Sequence, residues 1–160
     1  AAMHGSLLYL ISEKSFFILE AATGRIIVRK PLPYNLDATS TPLLTDKEII
    51  FGTANKGLVA LDNETLEEKW NCPIGDALIY TAPYSRPTSG TIETSPALAG
   101  KTVYVGASDG GIYGIDKRTG KIVWKYTTGA PIFSSVAISG NTLIATDFGG
   151  NVYAFSTIKK

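Results

Sequence analysis

The segment Thr94 to Trp124, TSPALAGKTVYVGASDGGIYGIDKRTGKIVW, lies without a gap over Ser40 to Trp70, STPLLTDKEIIFGTANKGLVALDNETLEEKW. Pro42 falls on Pro96, Gly52 on Gly106, Gly57 on Gly111, Asp62 on Asp116 and Trp70 on Trp124, each pair 54 residues apart. Two fainter copies flank these. LLYLISEKSFFILEAATGRIIV places Glu20 and Gly24 at the Asp116 and Gly120 positions, and SSVAISGNTLIATDFGGNVYAFS places Ser156 at the Asp116 position. Self-similarity of this kind constrains the fold strongly, because each copy is one supersecondary unit that can bury its apolar faces only against its neighbours.

The anchor positions 20, 62, 116 and 156 are 42, 54 and 40 residues apart. Within each copy, short runs of Val, Ile, Tyr and Phe alternate with Gly, Asn, Asp and Ser clusters, and no window carries a helical period. In the third copy this predicts strands at Ser95 to Leu98, Thr102 to Gly106, Gly111 to Asp116 and Lys121 to Lys125, named A to D from the axis outwards. A period near 40 residues with several short strands per unit predicts an all-β fold, a β-propeller of four-stranded antiparallel blades. Both strand faces are apolar, as in sheets packed between other sheets. The small residues of strand A, such as Ser95, Ala97, Ser134 and Ser135, suit the crowded axis.

The recurring positions have structural explanations. Asp116 and Asp62 open the C–D turns, where a carboxylate accepts backbone N–H groups two and three residues on. Gly120 and Gly24 supply the left-handed conformation such a turn needs. Leu66 stands at that position in the second copy, which implies a different turn or local strain. Trp70 and Trp124 point into the seams between blades, and the expected cost of Trp124→Ala is about 3–5 kcal/mol.

The sequences YGIDKRTGKIVW, VALDNETLEEKW and ILEAATGRIIV, each after a VYVGASDG-like strand and turn, resemble the pyrroloquinoline quinone-like repeat. The resemblance covers nearly the whole chain. It implies a closed propeller of seven or eight blades, of which four repeats are present here, about 6–36, 37–76, 92–130 and 131–160. Some members carry the quinone and many carry none; the noncatalytic ones include a lipoprotein that helps insert outer-membrane β-barrels. It also implies a periplasmic or extracellular location.

Two chemical readings can be weighed. GASDG, Gly106 to Gly110, matches the nucleophile elbow around Ser108, but it joins two strands, its counterpart is GTANK, and the single histidine is His4 in the N-terminal stretch 1–5, read as a tag or tail. The resemblance also implies, for the quinone-dependent dehydrogenases, adjacent cysteines, a stacking tryptophan and calcium-linked acids. Here Cys72 is the single cysteine and both tryptophans occupy architectural positions. No catalytic residue, metal site or cofactor is therefore expected, with the quinone plus calcium as the rival. NET, Asn63 to Thr65, is a glycosylation sequon by pattern and reads as turn chemistry.

Fifteen basic against fourteen acidic residues leave a net charge of +1, which excludes a long-range field for nucleic acid, and no apolar run is long enough to insert in a membrane. The irregular feature is the connection from Trp70 to Pro96, with an insertion at 77–91. D–A connections share a rim with the B–C turns, so Tyr80, Tyr84 and Arg86 should join Asn55, Asp109 and Asp147 as a ligand or partner face.

Strand counting gives 3 + 4 + 4 + 3. The expectation is the C-terminal part of a larger extracytoplasmic protein, a noncatalytic scaffold or protein-interaction module whose partners are other proteins or the remaining blades. The alternatives are a fragment of a quinoprotein oxidoreductase and a propeller appended to an enzyme domain such as a phosphoesterase. Two arrangements of the isolated segment are open: an arc that pairs with a second copy as a homodimer through its end blades, and a tight four-blade closure.

Overall fold

Short β-branched and aromatic runs, each ended by a glycine or aspartate turn, become fifteen strands in four antiparallel sheets. The structure, a computed structural model, describes residues 1–12, 14–36, 40–79 and 90–156. The first sheet is β1 (Ala2–His4), β2 (Leu7–Ser12), β3 (Ser15–Glu20) and β4 (Ile26–Pro31). The second is β5 (Leu43–Leu44), β6 (Glu48–Gly52), β7 (Leu58–Asp62) and β8 (Glu68–Cys72). The third is β9 (Ala97–Ala99), β10 (Thr102–Gly106), β11 (Gly111–Asp116) and β12 (Ile122–Thr127), and the last holds β13 (Ala137–Ser139), β14 (Thr142–Thr146) and β15 (Val152–Ser156).

The described strands therefore count 4 + 4 + 4 + 3. The first sheet is complete because Ala2–His4, read from sequence as a tail, pairs with β2 in the register Ala2↔Tyr9 to His4↔Leu7. Three residues without strong strand patterning gave no sequence signal, and the partner strand supplies the order. Each four-stranded sheet also carries a register shift between its third and fourth strands, at Ile18/Leu19, Ala60/Leu61 and Gly114/Ile115. Such bulges increase twist locally, which suits an outer strand that must splay away from its neighbour.

Three seams hold the sheets together. Phe16 packs with Ile49, Phe51, Val59 and Leu61 between the first two sheets. Ile50, Leu58 and Trp70 meet Val103, Val105 and Ile115 in the second seam, and Ile112 and Trp124 meet Leu143, Ala145 and Phe155 in the third. At the axis, small hydroxyl residues replace bulk. The Thr41 N–H donates to Ser95 Oγ at 2.9 Å, and the Ser95 N–H donates to Ser135 Oγ at 2.9 Å, so the innermost segments of the last three sheets are stitched one to the next.

The C–D turn repeats with one exception that the seam explains. Gly120 lies at φ +70° with its N–H on the Asp116 carbonyl at 2.9 Å, and Leu66 adopts the same turn at φ +59° with its N–H on the Asp62 carbonyl at 2.9 Å. A Cβ on Gly120 would come within 2.7 Å of the Trp70 ring. In the first seam the tryptophan position is held by Val28 and the glycine position by Leu66, whose side chain packs against the core. Large and small residues have exchanged places, and the apolar contact compensates left-handed strain of about 1–2 kcal/mol. A double-mutant cycle tests this. Val28→Trp and Leu66→Gly should each destabilise alone, and the pair should recover about 1–2 kcal/mol relative to their sum; additive urea-unfolding energies would show that the two positions do not share a space.

Glu48 is the buried carboxylate of the second sheet. Burial pushes its carboxyl up, and the bonds from Thr45 Oγ1 at 2.7 Å and Lys69 Nζ at 3.0 Å more than reverse this, so its pKa lies below the ordinary 4.5. A carboxyl depressed on folding stabilises the native state above its unfolded pKa and loses that contribution as pH falls through the folded value. Thermal midpoints between pH 6 and about pH 3 should therefore fall more steeply in the native sequence than in Glu48→Gln.

Candidate interaction face

The B–C turns of the four sheets lie at one end, and the D–A connections run across them through backbone bonds. The Ala54 N–H donates to the Asn35 carbonyl at 2.9 Å, the Ser108 N–H to the Thr91 carbonyl at 3.0 Å, and the Phe148 N–H to the Pro131 carbonyl at 2.8 Å. Asn55, Asp109 and Asp147 all belong to these turns. Tyr80, Tyr84 and Arg86, the rest of the sequence-derived face, lie outside the described residues.

Each described member of the face is engaged in holding it together. Asn55 Oδ1 accepts the Asn35 N–H at 3.1 Å. Asp109 Oδ1 accepts the Gly111 N–H at 2.8 Å, while its Oδ2 accepts the Tyr113 hydroxyl and the Gly75 N–H at 3.2 Å, with Lys125 Nζ 3.8 Å away. Asp147 accepts the Asn151 N–H at 3.0 Å, the Asn151 side-chain amide on both oxygens, and the Tyr153 hydroxyl at 2.8 Å. The Asn151 amide is the first of several bonds that hold Asp147 below the usual carboxylate range. Burial, followed by the bond to Asp109, pushes the Tyr113 phenol well above its ordinary value. The two aspartates are not at matching repeat positions, yet both clamp the matching tyrosines of β11 and β15.

The structural repeat residues sit in the turns and seams. Asp116 Oδ1 accepts the N–H groups of Arg118 and Thr119 at 3.1 and 2.9 Å, and Asp62 Oδ1 accepts those of Glu64 and Thr65 at 3.0 Å each. Gly24 lies at φ +72° in the matching turn of the first sheet. Trp70 is 8% exposed and its Nε1–H donates to the Lys117 carbonyl of the third sheet at 3.0 Å; Trp124 is half-buried, edge-on to Phe155 at 5.0 Å. The sequon asparagine, Asn63, spends its amide on the carbonyls of Thr45 and Asp46.

The structure does not equip Ser108 as a nucleophile. It is buried, its Oγ has no hydrogen-bond partner among the described residues, and His4 lies in β1 of a different sheet. Burial pushes the Cys72 thiol up to about 11, so it stays protonated at neutral pH. No group of three or more His, Cys, Asp or Glu placed to hold a metal occurs among the described residues. No helix long and apolar enough to cross a membrane occurs among the described residues.

The residues that sequence reasoning missed are those that dock one sheet on the next. Ile92 and Ile132, in the D–A connections, lie against Gly52 and Gly106, whose added Cβ atoms would stand 2.6 and 2.1 Å from the isoleucine Cγ2 atoms. Their spacing of 40 differs from the 54 between the two glycines, because the insertion precedes Ile92, and this offset hid the pairing. The last sheet has an uncovered face. Ile144 and Val152 are 38% and 71% exposed, whereas Ile50, Leu58 and Ile112 at the matching positions of inner sheets are fully buried.

Stacked antiparallel sheets with stitched axial segments, bulged outer strands and one repeated C–D turn define a β-propeller protein of pyrroloquinoline quinone-like repeats, open at the face of its last sheet. The family described as "Outer membrane protein assembly factor BamB" matches residues 1–156, and the chain belongs to it. It is 27% identical over 114 residues to the outer membrane protein assembly factor BamB of Alteromonas naphthalenivorans, covering 67% of this chain and 27% of that protein. It is also 27% identical over 124 residues to a 1-butanol dehydrogenase (quinone) of Thauera butanivorans, covering 69% of this chain and 19% of that one. The crystal structure of BamB from Moraxella catarrhalis superposes with a TM-score of 0.74 at 19% identity, over 97% of this chain and 47% of that one. The designed Ika4 protein superposes with a TM-score of 0.70 at 13% identity, over 96% of this chain and 87% of that one. The chain thus spans well under half the length of the curated relatives it matches.

Proposed function

We propose that this chain is a noncatalytic scaffold segment of a periplasmic protein that works, as the names of its BamB relatives say of them, in outer-membrane protein assembly. The observation that carries the reading is the state of the face where propellers hold ligands. The carboxylates of Asp109 and Asp147 are consumed by turn N–H groups and by the Tyr113 and Tyr153 hydroxyls, which leaves a rigid rim of polar backbone and side chains. Rigid rims with irregular connections suit protein partners.

The quinoprotein relative supplies the second reading, and the residues do not fit it. A quinone site would require a ring to stack on and acidic ligands for calcium. Trp70 is sealed in one seam and Trp124 is packed on Phe155 in another, and neither aspartate has a carboxylate oxygen free of protein donors. In the scaffold reading the uncovered face of the last sheet receives further sheets of the same repeat, from a longer polypeptide or from a second copy. Titration with pyrroloquinoline quinone and calcium, followed by calorimetry, separates the two functions. The scaffold reading expects no saturable heat, and stoichiometric binding would replace it with the oxidoreductase reading.

A further inference from the structure

The opposite end of the molecule, where the A–B and C–D turns meet, carries an arrangement confined to the third sheet. In each complete sheet the two turns are locked by one backbone bond: the Ala21 N–H to the Ser6 carbonyl at 2.8 Å, the Asn63 N–H to the Lys47 carbonyl at 3.1 Å, and the Lys117 N–H to the Lys101 carbonyl at 3.0 Å. What the locked turns display differs. In the second sheet Asn63 folds its amide back onto the turn carbonyls at 3.2 and 3.0 Å, and its neighbours are Glu64 and Glu67. In the third sheet the matching residues are Lys117, Arg118 and Lys121, and a hollow of about 300 Å³ lies open between Lys101, Asp116, Lys117 and Arg118.

The backbone that carries these cations is fixed, and Lys117 and Arg118 act on Glu48 and Asp116 only as the last of the influences that lower those carboxyls. The Lys117 backbone is fixed on both sides, by its N–H on Lys101 and by its carbonyl under the Trp70 indole at 3.0 Å. The Arg118 N–H is held by Asp116 Oδ1 at 3.1 Å. None of the cations at this corner forms an ion pair among those found in the described residues. Asp116 lines the hollow, but one of its oxygens is turned into the turn, where it also accepts the Thr119 N–H and hydroxyl at 2.9 and 2.8 Å. Directly after the turn, Ile122 and Val123 are exposed on the outer strand.

We infer that this corner, Lys101, Lys117 and Arg118 with Lys121 beside them, is a docking surface for an acidic segment of a partner protein. Cations carried on fixed turns around a hollow match carboxylates in sign, and the aliphatic pair alongside offers contact to the apolar residues of such a segment. A bilayer is disfavoured as the source of negative charge, because anionic lipid attracts extended basic surface and the basic corner here does not continue onto the neighbouring sheet. The matching corner of the second sheet presents Asp46, Glu64 and Glu67 instead. The inference concerns a different end of the molecule from the B–C rim and stands or falls independently of the scaffold reading.

The test is an NMR titration of the ¹⁵N-labelled protein with an N-acetylated octaglutamate peptide. The expected result is saturable shifts concentrated at Lys101, Lys117 to Thr119 and the Trp70 indole N–H. Raising the ionic strength above about 0.15 M should weaken them. Lys117→Glu with Arg118→Glu should weaken binding by about tenfold, and Lys101→Glu alone should weaken it in case that pair disturbs the turn. Lys14→Glu with Lys56→Glu, an equal charge change at the other end, should leave binding unaltered. Equal loss in both double variants, shifts spread over all lysines, or no saturable binding would overturn the proposal. So would binding to phosphatidylserine vesicles that is lost in the Lys117/Arg118 variant.

Discussion

Trp70→Ala is expected to lower the unfolding free energy by about 3–5 kcal/mol. The indole is almost wholly buried between the second and third sheets, within the cluster that holds Ile50, Val103 and Ile115. Its removal deletes large apolar contact and leaves the Lys117 carbonyl without its Nε1–H donor. The seam cannot collapse to fill the space, because Gly120 offers no side chain there and the locked C–D turn fixes its backbone. Trp124→Ala should cost less, about 1–3 kcal/mol, below the sequence-based expectation, because its ring is half-buried in a seam where the last sheet shows no outer strand among the described residues. Urea unfolding of the two variants checks the ranking, and equal losses would show that both seams are packed alike.

Gly52→Ala should cost about 3 kcal/mol, at the upper end of overpacking effects. The added Cβ would stand 2.2 Å from the Ile92 carbonyl oxygen and 2.6 Å from its Cγ2. A flexible side-chain tip could swing aside, but a carbonyl cannot, and the Ile92 N–H is bonded to the Thr53 carbonyl at 3.0 Å. Relief therefore requires the second and third sheets to separate. Gly150→Ala is the control: its φ is +87° but nothing lies within 4 Å of the added carbon, so backbone strain of about 1 kcal/mol remains. Thermal or urea unfolding of the pair measures the difference, and a Gly52→Ala loss no larger than the control would mean that this close approach is not maintained.

Much of the fold was legible because its determinants are local and repeated. Thr102 to Gly106 and Gly111 to Asp116 occupy the strands read from their apolar runs, and the C–D turn could be read from Asp116, Thr119 and Gly120, which lie within five residues of one another. Strand A was read less well. Ser95 precedes β9 rather than opening it, because its hydroxyl and N–H serve the neighbouring sheets instead of the ladder. The first strand was missed because its order comes from β2. The conformation of Leu66 could not be decided from its own turn, because the core contact that accompanies it is made across the seam. At the candidate face, Asp109 and Asp147 could be placed by topology, but their saturation by Tyr113 and Tyr153 depends on tertiary distances that the spacing does not reveal.

The uncovered last sheet is where the propeller account is most exposed to test. Val152 and Ile144 point from a face where Ile50, Leu58 and Ile112 of the inner sheets are fully buried and Tyr104 is half-buried, and an apolar sheet face of this kind drives association when a complementary sheet is available. Sedimentation velocity of the 160-residue chain over a wide concentration range, with and without Val152→Asp, measures this directly. The expected result is concentration-dependent association that the substitution abolishes while leaving a folded monomer. A single monomeric species at every concentration, unchanged by Val152→Asp, would contradict an arc whose end face is completed from outside.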